Sequence, residues 1–160
     1  MRHLLLKIAQ RRAPDFVIGG REDPYLLRWW LIPRNPVFNV YLHCFLRSDD
    51  DRALHTHPWL FNVSWLLGGR YIEWVPSRGD NSQHPECLFR KQGQVKFRWG
   101  GSPHRVQLYR SAGQNMPCWT LFITGPRVRK WGFLCPQGFI HWKLFTAPTD
   151  KGAVGKGCDA

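Results

Sequence analysis

The sequence predicts an all-β fold, a barrel or a sandwich. Short runs alternate apolar and polar residues, 15 glycines and 12 prolines interrupt them at regular intervals, and aromatic residues make up 14% of the chain. Alternation with a period of two marks strands buried on one face, and glycine and proline supply the turns between them.

In order along the chain, Leu4 to Leu6 and Ile8 form an apolar patch that suits a brief amphipathic helix ending before Pro14. Residues 1–37 are expected to be a helical or irregular extension packed on the barrel. The strands begin at 38–47 (FNVYLHCFLR), continue at 60–67 and 70–75, and the Gly68-Gly69 pair between those two runs predicts a hairpin. After a polar loop, 94–99 alternates Val95, Phe97 and Trp99 with Lys96 and Arg98. A turn at 100–103 leads to 104–109, where His104, Val106 and Leu108 share one face and Arg105, Gln107 and Tyr109 the other. Strands are expected at 119–124, 131–135 and 139–145, closing a barrel of residues 38–147. The small, flexible residues of 148–160 read as a mobile tail.

With 160 residues the chain has the size of one domain with a real core. Its five cysteines are odd in number, widely spread and form no C-x-x-C pair, so free thiols in a reducing cytoplasm are expected. No run approaches the roughly 18 apolar residues of a membrane span, and no targeting signal stands out. Formal net charge is +12, and no carboxylate lies between Glu86 and Asp150 while ten basic residues do. Such a stretch attracts anions, be they small molecules, acidic proteins or nucleic acid, unless it is simply a solvated basic surface. No polybasic run or nucleic-acid-binding motif favours the last partner. Phosphate loops, nucleophile elbows and dinucleotide fingerprints are absent, and neither Cys118 nor Cys135 is flanked by an activating base.

Local chemistry concentrates in Leu54-His55-Thr56-His57-Pro58-Trp59. Histidines at i and i+2 of a strand point to one face and can grip one metal ion. Gly101-Ser102-Pro103-His104 places a third histidine at the start of a strand after a turn, 47 positions beyond His57. Over roughly residues 40–145, these two motifs resemble those of the cupin superfamily. The resemblance implies a double-stranded β-helix (jelly-roll) barrel with a divalent metal ion held by His55, His57 and His104 near one mouth. Many cupins add a glutamate four or five residues after the second histidine; here those positions are Phe61 and Asn62. The three remaining imidazoles resemble the iron sites of cysteine dioxygenase and other thiol dioxygenases. Fe(II) is therefore the expected ion, with Zn, Mn and Ni as alternatives.

Around that centre, Tyr71 and Glu73 share a face at i and i+2 and line the pocket as catalytic candidates if that face points inward; Glu73 would then reach the metal or act as a general base, or else simply pair with an arginine at the barrel mouth. Asp49, Asp50 and Asp51 either supply a carboxylate to a ligand imidazole or form a solvated turn. Arg127 and Arg129, of like parity after a Gly-Pro turn, and Arg105 are candidates for binding an anionic substrate. His43, His84 and His141 have no spacing that ties them to the site. The expected activity is that of a metal-dependent dioxygenase acting on a small anionic substrate. An isomerase or epimerase using Zn, Mn or no metal is the second reading, and a non-enzymatic ligand- or nucleic-acid-binding module the third. The resemblance also implies pairing into a homodimer.

Overall fold

The computed structural model describes residues 2–20, 22–49, 53–77, 85–147 and 155–159. A helix, α1 (Arg2–Arg11), is followed by strands β1 (Phe16–Ile18), β2 (Leu26–Trp30), β3 (Asn39–Phe45), β4 (Leu54–His55), β5 (Phe61–Gly68), β6 (Arg70–Val75) and β7 (Glu86–Lys91). Then come β8 (Val95–Trp99), β9 (Arg105–Leu108), β10 (Arg110–Ser111), β11 (Gln114–Asn115), β12 (Cys118–Thr124), β13 (Gly132–Cys135) and β14 (Gly138–His141). A short helix α2 (Trp142–Phe145) follows the last strand.

Six strands form the larger layer in the order β1-β2-β3-β12-β5-β8, every pair antiparallel. The opposing layer is built from two three-stranded sheets, β14-β13-β4 and β7-β6-β9. They are stitched by one bridge: His55 N donates to His104 O at 2.9 Å, and His104 N to His55 O at 3.0 Å.

Strand register gives the larger layer an unusual polarity. One cross-strand rung on its inner face reads Asn39, Thr124, Asn62, Arg98, and another reads Arg28, His43, Thr120, Leu66. Trp29, Leu42, Cys44 and Leu67 point the other way and form a core that Leu5, Ile8 and Ala9 of α1 cover. The helix thus seals the outside of the barrel wall, while the lumen mixes these polar side chains with an apolar cluster of Leu66, Tyr71, Val106, Leu108 and Cys118. A second core, Phe133, Ile140 and Phe145 with Ala53 and Cys135, closes the end formed by β13, β14 and α2.

Several expectations are met and several corrected. The N-terminal helix is present, but β1 and β2 extend the main sheet well before residue 38. Gly68-Gly69 does not make a hairpin: β5 pairs with β12 and β8, β6 with β7 and β9, so the turn carries the chain from one layer to the other. Gly69 adopts φ +79°, and a Cβ there would lie 2.7 Å from Pro117 O, so the position needs both the backbone freedom and the absent side chain. The strand expected over 139–145 ends at His141, whose Nδ1 accepts the Lys143 N–H and starts α2. Of the expected tail, residues 148–154 and 160 lie outside the described residues. Within 155–159, Gly155 N donates to Phe145 O, and Cys158 is joined to Cys135.

That disulfide corrects the expectation of free thiols throughout; a pairing across 23 residues with no C-x-x-C spacing leaves no mark in the sequence. Cys44, Cys87 and Cys118 are free. Thiol titration of the denatured protein should accordingly count three reactive groups before reduction and five after it. Replacing Cys158 by serine is expected to cost about 3 kcal/mol, the loop-closure value for a bridge of this span, seen as a lower denaturation midpoint.

Candidate metal centre

The three histidines converge because two backbone constraints act on a short segment. β4 is held by the His55–His104 bridge on one side and by β13 on the other, where His55 faces Phe133. Past Thr56 the chain stays extended, and His57 N donates to Gly100 O at 2.9 Å. The approach is close enough that a Cβ on Gly100 would sit 1.6 Å from Trp59 O, so only glycine fits. Thr56 points the opposite way, its Oγ1 3.3 Å from Gly132 N. His55 and His57 thus share one face, as the alternation of a strand demands.

Ring centroids of His55, His57 and His104 stand 5.0–5.1 Å apart in all three pairs. One nitrogen of each lies within 4.8 Å of the others. Nε2 of His57 and Nε2 of His104 are 2.9 Å apart. Two donors at right angles on an ion with bonds of about 2.1 Å stand about 3 Å apart, so the His57–His104 pair is spaced to share one ion, with the His55 ring close by. Burial holds His57 and His55 below the ordinary imidazole value, and His104 at about 4, with Arg98 lowering each further. All three rings are neutral at pH 7 and have lone pairs to give.

Glu73 determines which lone pair His104 gives. The carboxylate is fully buried on β6, one strand from β9, and its Oε1 lies 3.1 Å from His104 Nδ1. An ionised carboxylate only accepts, so Nδ1 carries the proton and Nε2 is left to face His57. Arg98 Nε donates to the same Oε1 at 2.6 Å, and Arg90 Nε to Oε2 at 2.7 Å. Burial alone would raise the Glu73 pKa, but the bonds to His104, Arg98 and Arg90 hold it well below the carboxylate range.

The other candidates divide. Tyr71 shares the inner face of β6 with Glu73, is buried, and burial raises its pKa. Asp49 approaches His55, with Oδ2 3.8 Å from Nδ1, while the same oxygen accepts the Val106 N–H at 2.6 Å. Asp50, Asp51 and His84 lie outside the described residues. Nδ1 of His55 is buried and makes no hydrogen bond among the described residues.

Arg127 and Arg129 are exposed but flank the 57–59 segment: Arg127 bridges Trp59, and Arg129 N donates to Pro58 O. Arg105 is not brought to the imidazoles. It occupies the outer face of β9, 5.2 Å over the Trp74 ring, opposite to His104. At the glutamate position of the family pattern, Phe61 points outward onto Phe97 and Asn62 inward, fully buried, with both amide atoms unpartnered.

Sequence reasoning missed three residues. His43 faces the lumen, accepting from Arg28 Nε at 2.8 Å and stacking on Phe122, which also touches His57. Trp59 stacks on His57 at 5.2 Å. Arg98 is the third; its position on the inner parity of β8 opposite Asn62 is the signal that could have found it.

No protein-family model and no curated protein matches this sequence. Solved structures do. A structure of iron(II) HppE with substrate is 14% identical with a TM-score of 0.53, covering 71% of this chain and 57% of that one. Iron(II) HppE alone gives 16% identity and 0.51, with the same coverages. A protein with a double-stranded β-helix domain from Klebsiella pneumoniae subsp. pneumoniae MGH 78578 gives 13% and 0.49, over 73% of this chain and 90% of that one. This chain therefore spans a little over half the length of the HppE chains. At such identities the likeness concerns the fold: the chain is an all-β barrel of the cupin type, carrying a three-histidine cluster able to hold a metal ion.

Two outcomes follow from the geometry. Glu73→Gln removes the charge that fixes the His104 tautomer, and metal affinity should fall about tenfold to a hundredfold by competition with a chromophoric chelator. The metal-free protein should lose stability on mild acidification. His104 drops from about 6.5 unfolded to about 4 folded, so its contribution is intact above pH 6.5 and lost as the pH falls towards 4. Urea unfolding across that window should show a loss on the order of 3 kcal/mol from this ring.

Proposed function

We propose that this protein binds one divalent metal ion through His55, His57 and His104, Fe(II) by preference, and is an oxygenase-type enzyme for a small anionic substrate. The observation that carries it is the Glu73–His104 contact: a fully buried carboxylate, itself held by two arginines, orients one imidazole towards the other two. Such a carboxylate–histidine pairing is how proteins prepare a ligand ring. That two structures of like fold contain iron(II) supports iron as the ion to test first.

Held by His55, His57 and His104, a ferrous ion would supply the chemistry of oxygen activation beside a bound substrate, which suggests a likeness to thiol dioxygenases. The chain's own residues supply the rest. Both oxygens of Glu73 are engaged and none of its surface is exposed, so it serves as a positioning residue for His104. Trp59 and Phe122 pack on His57 and exclude water from that side. Arg127 and Arg129, exposed beside the 57–59 segment, can draw an anion to the His57 end of the cluster.

Metal analysis of protein purified without air should find iron near one equivalent per chain. His55→Ala/His57→Ala and His104→Ala should each lose it. Full metal content in His104→Ala would end this reading, whereas zinc or manganese with the same histidine dependence would keep the site and redirect the search from oxygen uptake to isomerase chemistry.

A further inference from the structure

We infer that the chain carries a second binding site, for a small oxyanion, on the Arg90 side of Glu73. A cavity of about 130 Å³ opens there among β5, β6, β7 and β8, and Ser64, Tyr71, Arg90, Gln94 and Lys96 line it. The volume suits one phosphate-sized or carboxylate-sized group.

Charge is the reason for the assignment. Glu73 is the carboxylate of this neighbourhood, and it is shared by Arg98, Arg90 and His104. Two guanidiniums against one carboxylate already leave an excess positive charge. Lys96 adds another, since it forms no ion pair or hydrogen bond among the described residues. Register puts Lys96 opposite Ser64 on the inner face, so its chain runs towards the cavity and not away from the barrel. Only the Nε edge of Arg90 is used by Glu73; one terminal nitrogen is buried without a hydrogen-bond partner among the described residues. A buried unpaired guanidinium N–H is costly, and an anion is the group that satisfies it. Hydroxyls of Ser64 and Tyr71 and the amide of Gln94 complete a donor-rich lining.

The site is separate from the imidazoles, which do not line the cavity, and it does not rest on the metal reading. Its ligand is a free oxyanion or the terminal phosphate of a larger molecule; the chemistry recognised is the same.

Isothermal titration of the full chain with inorganic phosphate, at an ionic strength fixed with KCl, should give one site per chain. Lys96→Met should weaken it at least tenfold and Lys96→Glu should abolish it, both with an unchanged circular dichroism spectrum. Lys7→Met, on the exposed side of α1, should leave it unchanged. Titration with glycerol 3-phosphate separates the sources: tighter binding than phosphate supports a phosphomonoester ligand, weaker binding a free anion. Chelator-treated protein should bind phosphate as well as untreated protein does; binding that vanished with the metal would place phosphate on the ion and overturn the inference. Equal affinity in the wild type and Lys96→Met, or no heat beyond that of KCl, would overturn it too.

Discussion

Two backbone hydrogen bonds between His55 and His104 hold this architecture together. They join two three-stranded sheets, β14-β13-β4 and β7-β6-β9, into one layer opposite the six-stranded wall. With them the layer is continuous, and the residues that make the junction are themselves two of the three convergent histidines. Fold and site therefore share one constraint. The antiparallel bridge fixes the ring separation of the pair at 5.0 Å, and the next extended residues bring His57 to the same face. On the other side of β9, register sets Glu73 opposite Val106, two residues from His104 along the strand, within reach of its ring.

The second organising feature is that the larger wall is buried on both faces, with polar groups set among Phe45, Leu66 and Cys118 on the lumen side. Its lumen face carries Arg28, His43, Asn62, Arg98, Thr120 and Thr124, all with little or no exposure to solvent or tightly packed, while the apolar face is sealed by α1. Burying so many polar groups is costly unless they are paired. Some are: Arg28 with His43, and Arg98 with Glu73. Asn62, Thr120 and Thr124 keep polar atoms with no partner among the described residues. The outer hydrophobic core under α1 offsets that cost, which explains why the helix is part of the barrel's stability though it touches none of the site.

What could be read in the sequence was what depends on parity and turns. The β-strand body, the shared face of His55 and His57, the apolar company of His104 on its face and the shared face of Tyr71 and Glu73 all follow from a period of two, which does not say whether that last face points inward. Parity also held the clue that Arg105 faces away from His104, yet charge alone made it a substrate candidate. What could not be read depends on partners distant along the chain. β2 (LLRWW) shows no alternation, because Leu27 and Trp29 pack under α1 while Arg28 faces the lumen, so both sides are covered. Gly68-Gly69 has the chemistry of a hairpin, but only the pairing partners of β5 and β6 reveal that it crosses between layers. Cys135–Cys158 and the Glu73 arginines likewise join residues whose proximity no local pattern encodes.

The pairing of β3 with β12 has a kinetic consequence. Residues 39–45 find their partners at 118–124, and β4 finds β13 at 133–134. A chain emerging from the ribosome holds β3 with one edge unmatched until residues 118–124 are made, and β4 with neither partner until His104 is made. Closing such large loops delays the reward of pairing and places the barrel among slow, non-local folders. Until residue 124 is made, the aromatic-rich edge of β3 is open to other chains, so yield in expression should depend on temperature and chaperone supply more than on final stability.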